Sequence, residues 1–261
     1  RGRDSLGFSI QVLLDDAMDI SLIKSQVSED KSESIIFHRS PSKNCLNFTF
    51  KTANRVGSLG DNCNIVISKI KACKILHNLI EKEVVISSTI VSHTRWASVG
   101  EVNISNCHPV SNLGINLDSP QPIVFASLNG DIHNYKSLIS SSDTDVSKLD
   151  PECTTDCLSI PLHLSGFDLS NPEDQIFAFN SLQGSFAVAV QDFANPNRIL
   201  LSSKGSQGLY IGVSYDSIMF ASDVYGLVES CKYFKSISSG SLLSIFTNDK
   251  PYGTDFKISI H

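Results

Sequence analysis

Arg95 is the first residue whose type and neighbours suggest chemistry. It stands beside Trp96 at the end of an apolar run, within SHTRWASVG (92–100), in a chain that is only 18% charged. A guanidinium offers a planar set of donors that suits a carboxylate, and it stays charged at any relevant pH. An arginine in this place also fits a surface ion pair, or stacking on the tryptophan ring. The residues alone leave these alternatives open.

Asn129 and Gly130 are the second candidate pair, and they follow the apolar run PIVFAS (122–127). A strand that ends in Asn-Gly can direct a side-chain amide and a backbone N–H at one point, and such donors stabilise an oxyanion. The same dipeptide is typical of an ordinary turn. Both interpretations remain open from the sequence.

Asp156, in CTTDC, lies at the predicted start of a helix. Its carboxylate either balances the helix dipole or binds an ammonium group. Taken together, Arg95, Asp156 and the Asn129–Gly130 pair describe a site for an amino acid whose side-chain carbonyl is attacked, such as asparagine or glutamine. The set lacks a nucleophile.

The cysteines and histidines give weaker patterns. Cys107 and His108 are adjacent, but neighbouring side chains rarely point at each other, so a nucleophile–base pair is not favoured. Cys153 and Cys157 with His163 have no second pair of ligands, so no metal site is predicted. No cofactor is predicted either.

Composition excludes several classes of protein. The chain has 261 residues, of which 41% are hydrophobic, and it is expected to be globular. A formal net charge of −6 argues against a nucleic-acid partner, and no apolar run approaches the roughly 20 residues that span a bilayer. Seven cysteines without a CxxC pair indicate a reduced, intracellular protein, so we expect a cytoplasmic location.

The apolar pattern predicts strands in the first and last thirds of the chain and helices between them. An amphipathic helix is expected over 64–83, with Asp61 or Asn62 as its cap. Further helices are expected over 132–141, 155–164 and 172–182, the last with Asn171 as its cap. Strands are expected over 6–14, 34–39, 46–52, 84–92 and 122–127, and in the runs SFAVAVQD, RILLSS, LYIGVS, SIMFAS and SLLSIF. This pattern predicts one α+β domain over 1–261, with two largely antiparallel sheets faced by helices.

Seven motifs occur in the order seen in class II glutamine amidotransferases, which are N-terminal-nucleophile hydrolases. They are RGRDSLGFSI, SHTRWASVG, NCHPV, LNGDIHNY, TTDC, LQGSFAVAV and IMFASD. The chain resembles in particular the glutaminase domain of the isomerising glutamine–fructose-6-phosphate aminotransferases, from Arg1 to about Phe246. Related amidophosphoribosyltransferases usually carry a tyrosine where Trp96 stands. The resemblance implies a four-layer αββα sandwich.

The resemblance also implies roles for the candidate residues. Arg95 would bind the α-carboxylate of L-glutamine, and Trp96 and Ser98 would belong to a mobile loop that covers the site. Asp156 would bind the α-ammonium group.

Asn129 with Gly130 would form the oxyanion hole, and His108 would support the site structurally. The family hydrolyses glutamine through a γ-glutamyl thioester and passes ammonia to a sugar-phosphate isomerase domain, which is expected downstream. That domain uses the ammonia to make glucosamine 6-phosphate from fructose 6-phosphate. A homodimer through the parent enzyme is also implied.

Several features depart from the family. Its nucleophile is an N-terminal cysteine whose own amine acts as the base, whereas this sequence opens with Arg1. RGRDS normally lies a strand and a helix after that cysteine, so the chain is expected to be an inactive fragment that lacks both elements. Val99 stands in place of a histidine and Ser98 in place of a threonine, and residues 26–54 look like an insertion. The alternative is a degenerate, glutaminase-like module that binds glutamine or regulates a partner.

Overall fold

Strand pairing arranges the chain into three antiparallel sheets, which we call A, B and C. The computed structural model describes residues 2–15, 23, 34–40, 43–54, 59–113, 122–247 and 256–261. Sheet A has the order β2-β3-β1-β4. Its strands are β1 (Ser5–Leu14), β2 (Ser34–Ser40), β3 (Lys43–Thr52) and β4 (Val85–Arg95).

Two helices cover one face of sheet A, and they are α1 (Leu59–Ala72) and α2 (Lys74–Glu81). Successive side chains of a strand point to opposite faces, so the even-numbered apolar residues of β1 meet the helices. The shared core comprises Leu6, Ile10, Val12, Leu14, Leu46, Phe48, Phe50, Val66, Leu76 and Leu79. The odd-numbered Ser9 and Gln11 are equally buried, on the other face of the sheet.

Sheet B is the largest and has the order β13-β12-β8-β7-β6-β5. Its strands are β5 (Val110–Ser111), β6 (Val124–Ile132), β7 (Gly184–Asp192), β8 (Arg198–Lys204), β12 (Leu242–Thr247) and β13 (Phe256–Ile260). Three helices pack against it, and they are α3 (Tyr135–Ser140), α4 (Ser159–Leu164) and α5 (Pro172–Asn180). Their common core includes Leu128, Leu138, Ile160, Phe179, Phe186 and Val188.

Sheet C is small, with the order β10-β9-β11. Its strands are β9 (Tyr210–Val213), β10 (Ile218–Ala221) and β11 (Tyr233–Ser236). A third core joins all three sheets and contains Val91 of sheet A, Ala187, Ala189, Ile199, Leu201 and Ile245 of sheet B, and Ile211, Ile218 and Phe220 of sheet C. The faces of sheets A and B turned away from their helices therefore meet this core.

A chain of buried hydrogen bonds links sheets A and B. The Thr49 hydroxyl donates to the Asn47 side-chain oxygen (2.8 Å), and the Asn47 amide donates to the Ser9 hydroxyl (2.7 Å). Ser9 donates to Oε1 of Gln191 on β7 (3.1 Å), and Gln191 Nε2 donates back to the Thr89 carbonyl of β4 (3.0 Å). Gln191 therefore contacts two strands of sheet A with its one amide group.

The expected α+β class with largely antiparallel sheets is confirmed. In the described part of the chain the sheets number three rather than two, because β9, β10 and β11 pair apart from sheets A and B. Asn171 Oδ1 accepts from the Glu173 N–H, as predicted for the cap of α5. Within the described residues, no helix is long and apolar enough to span a bilayer.

The helix predicted over 64–83 is two helices, because the buried Cys73 has an extended conformation that ends α1 and starts α2. Asp61 and Asn62 are not caps, since α1 already begins at Leu59. Asn62 instead donates to the Arg3 carbonyl (3.1 Å) and ties α1 to the start of β1.

Other boundaries differ as well. The helix predicted over 132–141 begins at Tyr135, because Ile132 is the last residue of β6. The helix predicted over 155–164 is a single 3-10 turn, Asp156–Leu158, followed by α4. In the proposed insertion over 26–54, residues 26–33 and 41–42 lie outside the described residues, and the remainder includes β2 and β3. That insertion stays a prediction.

Gln191→Met keeps the length of the side chain and removes both hydrogen bonds to sheet A. It leaves the partly buried Thr89 carbonyl and the buried Ser9 hydroxyl short of a partner, so we expect the free energy of unfolding to fall by about 1–3 kcal/mol. Urea denaturation measures the loss. Gln183→Met makes the same change at an exposed glutamine just before β7 and should stay within about 0.5 kcal/mol of the parent. Equal stability of the two variants would contradict the role of Gln191.

Candidate active site

The predicted site residues meet at one cleft of about 590 Å³. Its walls come from the end of β4, the end of β6, the 3-10 turn at Asp156 and the segments around sheet C. Arg95, Trp96, Ser98, His108, Asn129, Gly130 and Asp156 all line it.

Arg95 is the last residue of β4 and is only 3% exposed. Its Nη1 donates to the Glu101 carbonyl (3.0 Å) and its Nη2 donates to the Val99 carbonyl. The guanidinium therefore holds the loop that follows β4, rather than forming the surface contact that sequence alone left open. It has more N–H donors than these two carbonyls use. Its binding of a substrate carboxylate stays a prediction.

The loop after Arg95 is held at several points. The Ala97 N–H donates to Asp4 Oδ2 (2.8 Å), and the Ser98 hydroxyl donates to Asp131 Oδ1 on β6 (3.0 Å). Trp96 lies between Ala97 and Arg95, whose carbonyl accepts from the Asp4 N–H (3.1 Å), and it is 77% exposed. The tryptophan side chain is thus presented to solvent at the rim of the cleft by a backbone that is fixed on both sides.

Asn106 joins this loop to the turn that carries Asp156, and sequence reasoning assigned it no role. Its Oδ1 accepts from the N–H groups of Thr154 (2.7 Å) and Thr155 (2.8 Å). Its Nδ2 donates to the Glu101 carbonyl (3.0 Å), which Arg95 also contacts. Asn106 is fully buried, and its place in the NCHPV motif was the only signal for it.

Asp156 begins the 3-10 turn and is buried. Its Oδ2 accepts from the Ile132 N–H at the end of β6 (2.8 Å). Burial raises the pKa of this carboxyl, the Ile132 N–H opposes that rise, and the nearby Asp131 adds to it. The carboxylate is therefore held two residues along the strand from Gly130, where an ammonium group would relieve its desolvation.

Asn129 and Gly130 do not form a turn. Both lie inside β6, where they pair with Ala187 and Phe186 of β7, so the ordinary-turn interpretation is wrong. Gly130 has a φ of +114°, and a Cβ there would lie 2.1 Å from the Ser185 carbonyl oxygen. Glycine is required because the neighbouring strand comes too close for a side chain. The Asn129 amide donates to Gln207 Oε1 (3.2 Å), another residue that sequence reasoning missed.

His108 connects the two halves of the cleft. Its Nδ1 lies 3.1 Å from the Leu128 carbonyl, just before Asn129, and its Nε2 lies 3.3 Å from the Thr155 hydroxyl, just before Asp156. The adjacent Cys107 thiol instead contacts the carbonyls of Thr52 and Asn103. Cys107 and His108 therefore share no partner, which agrees with the weak case for a dyad. Burial also raises the pKa of the Cys107 thiol.

His93 was not singled out from the sequence, yet it lines the cleft two residues before Arg95 on β4. Its ring lies 4.6 Å from that of His108. Burial, and then the charge of Arg95, lower the pKa of His93 to about 4. Burial and the neighbouring His93, Arg95 and Lys51 lower the pKa of His108 as well. Both imidazoles are therefore neutral at neutral pH, and Arg95 carries the positive charge.

The cleft contains no thiol. All seven cysteines fall within the described residues, and none of them lines it.

A groove of about 730 Å³ leads away from the cleft between β4 and β10. Ser92 and Phe220 line both spaces. Ile199 and Ile245 of sheet B line it as well. Among the described strands, β4 pairs only with β1 and β10 pairs only with β9, so each has one unpaired edge.

Lowering the pH should destabilise the chain through His93. The unfolded histidine takes up a proton below about pH 6.5, whereas the folded one does so only near pH 4, so folding stability falls as the pH drops through this window. His93→Gln should therefore lose less stability than the parent between pH 7 and pH 4.5. Urea denaturation at several pH values measures this. His77→Gln, at an exposed histidine of α2, is the control and should keep the parent's pH dependence.

No protein-family profile matches the chain. Among curated proteins, the isomerising glutamine–fructose-6-phosphate aminotransferase of Chlamydia caviae is 30% identical over 180 residues, covering 64% of this chain and 26% of that protein. The enzyme of the same name from Clostridium acetobutylicum is 31% identical over 162 residues, covering 61% and 25%. That from Saccharomyces cerevisiae is 29% identical over 130 residues, covering 47% and 17%.

The chain thus spans about a quarter of the length of the first two of these relatives. Several relatives carry the same name, and it is the name of the enzymes that the motifs resemble. The predicted resemblance is therefore confirmed, and the chain is similar in sequence to the isomerising glutamine–fructose-6-phosphate aminotransferases.

Proposed function

We propose that this chain is the glutamine-hydrolysing domain of an amidotransferase. One observation carries the proposal: Arg95, Asp156 and the Asn129–Gly130 pair, which lie far apart in sequence, line one cleft. Glutamine has a matching group for each of them. Its α-carboxylate suits the cation, its α-ammonium group suits the anion, and its side-chain carbonyl suits the pair of oxyanion donors. The same proposal takes residues 1–261 as one domain of the four-layer αββα type.

In the proposed reaction, Arg95 binds the α-carboxylate and Asp156 binds the α-ammonium group of glutamine. A thiolate attacks the side-chain carbonyl carbon, and the carbonyl oxygen becomes an oxyanion held by the Asn129 amide and the Gly130 N–H. The amide nitrogen takes up the proton that the thiol gave up, so collapse of this intermediate breaks the C–N bond, expels ammonia and leaves a thioester. Water then attacks the thioester through a second oxyanion, and glutamate and the thiol are released. The chemistry needs no cofactor.

His108 and the loop after β4 act on geometry in this proposal. His108 sets the spacing between Asn129 and Asp156 by contacting the residue before each. Ser98, through its bond to Asp131, draws the loop that carries Trp96 towards β6. Closing that loop over bound glutamine would exclude water from the thioester until ammonia has left.

The thiol is proposed to come from an N-terminal cysteine on a strand upstream of Arg1. The groove between β4 and β10 supports this, because a strand placed there would find an unpaired edge on each side and the apolar Ile199 and Ile245 in the same groove. It would join sheets A and C into one layer facing sheet B. The β4 residues from Ile86 to Ser92 that line the groove correspond to roughly 20 Å of strand, and its end opens into the cleft.

The proposed fate of the ammonia is transfer to a sugar-phosphate isomerase domain that follows in the same protein. There it would convert fructose 6-phosphate into glucosamine 6-phosphate. The names of the relatives and their greater length support this extension. We also propose that the parent enzyme is cytoplasmic and forms a homodimer.

A degenerate module that binds glutamine without hydrolysing it is the second candidate. It is favoured by one observation, which is that no cysteine of this chain lines the cleft. The two candidates differ in what the full-length protein does with glutamine.

The first test is glutamate release from glutamine. Residues 1–261 alone should release none above a boiled control, because no activated thiol is present. The full-length protein should release glutamate, and prior alkylation of its thiols should abolish that activity. Release by residues 1–261 alone would refute the assignment of the nucleophile. Glutamine binding without hydrolysis by the full-length protein, measured by calorimetry, would favour the binding module.

The second test is Asn129→Ala in the full-length protein. An oxyanion donor acts mainly in the transition state, so kcat should fall by about 100-fold or more while KM for glutamine changes little. Asn78→Ala, at an exposed position of α2, is the matched control. Active-site titration corrects for unfolded protein. Normal turnover per titrated site, together with a lower Tm, would assign Asn129 a structural role only.

A further inference from the structure

Gln207 lies in the cleft opposite Asn129, in the segment between β8 and β9. It has no part in the motifs that carried the resemblance. Its Oε1 accepts a hydrogen bond from Asn129 Nδ2 (3.2 Å), and it is half-buried. The partner of the Asn129 amide is thus another side-chain amide.

Gln207 also contacts the second proposed oxyanion donor. Its Cγ lies 3.0 Å from the place that a Cβ on Gly130 would occupy. The stem of Gln207 therefore passes close to the bare Cα of Gly130 while its head group meets Asn129. One side chain therefore hydrogen-bonds Asn129 and passes close to Gly130.

The segment that presents Gln207 is itself anchored to the start of β7 and to Ser239, which precedes β12. The Ser206 N–H donates to the Ser185 hydroxyl (3.0 Å), and the Gly205 N–H donates to the Ser239 hydroxyl (2.9 Å). Ser185 also supplies the carbonyl that comes within 2.1 Å of a Cβ on Gly130. The position of Gln207 is consequently tied to the same strand pair that fixes Gly130.

We infer that Gln207 is a positioning residue, which orients the Asn129 amide so that its second N–H is available to the oxyanion. The inference rests on the proposed function of Asn129 and Gly130. An asparagine amide can rotate by half a turn and exchange its oxygen for its nitrogen. An oxygen facing the substrate carbonyl would repel the developing negative charge instead of stabilising it. An acceptor on Gln207 favours the orientation in which Asn129 presents nitrogen.

Gln207→Met is the direct test, because methionine fills a similar volume and cannot accept the hydrogen bond. In the full-length protein it should lower kcat by roughly 3- to 10-fold, the effect of one neutral hydrogen bond, while KM for glutamine is unchanged. Gln183→Met, the same replacement at an exposed glutamine, should leave both constants unchanged. Gln207→Lys can only donate to Asn129, so it should lower kcat further than Gln207→Met.

A spectroscopic measurement separates this inference from the proposed function. In the 261-residue chain with ¹⁵N-labelled asparagine, the side-chain amide signals of Asn129 are identified by their absence in Asn129→Ala. They should shift in Gln207→Met and stay in place in Gln183→Met.

Each outcome decides one question. A full-length parent protein without glutaminase activity would sink the proposed function, and the amide signals alone would then test the contact. An active parent with an unchanged kcat in Gln207→Met would overturn the inference. So would amide signals of Asn129 that do not respond to Gln207→Met. A lower Tm with normal turnover per titrated site would also overturn it, because Gln207 would then serve stability only.

Discussion

Gln191 determines how the two halves of the candidate site meet. Its amide accepts from Ser9 and donates to the Thr89 carbonyl, and so fixes sheet B against two adjacent strands of sheet A. Arg95 ends a strand of sheet A, whereas Asn129 and Gly130 belong to sheet B. The distance between the proposed carboxylate partner and the proposed oxyanion donors is therefore set by the packing of the two sheets. Because the polar chain is buried, a shift of one sheet past the other would leave several groups without partners.

The electrostatics of the cleft follow from burial. The rings of His93 and His108 lie in contact at a tilt of 36°, and desolvation together with the charge of Arg95 keeps them neutral. Asp156 has its pKa raised by burial yet accepts a backbone hydrogen bond. The cleft thus holds one fixed positive charge near its β4 wall and a carboxyl group near its β6 wall, so it is polarised in the direction along which a free amino acid carries its own two charges.

Much of this arrangement could be predicted from the sequence, and the reasons are local. Short β-rich runs predicted β1, β7 and β8, and the Asn171-Pro172 pair predicted the start of α5, because each depends on residues within a few positions. The motifs around Arg95, Asn129 and Asp156 predicted that these residues share one site, and all three line the cleft. What could not be predicted depends on contacts between distant segments. Gln207, Asn106 and His93 act through partners that the linear sequence does not indicate, and the break at Cys73 depends on the fit of α2 against sheet A.

Among the strands that the structure describes, β4 and β10 each keep an open edge, and this affects how the chain behaves in solution. Both edges border the groove, and β4 contains the β-branched run VISSTIV, with Ile90 47% exposed. Unpaired strands of this composition serve as templates on which another copy can add a strand. Solubility and the proposed activity would then both depend on whether the groove between β4 and β10 is filled. A segment that filled the groove would cover both edges, protect the chain against self-association and reach the mouth of the cleft. Resistance to aggregation would then indicate that the domain is fully assembled.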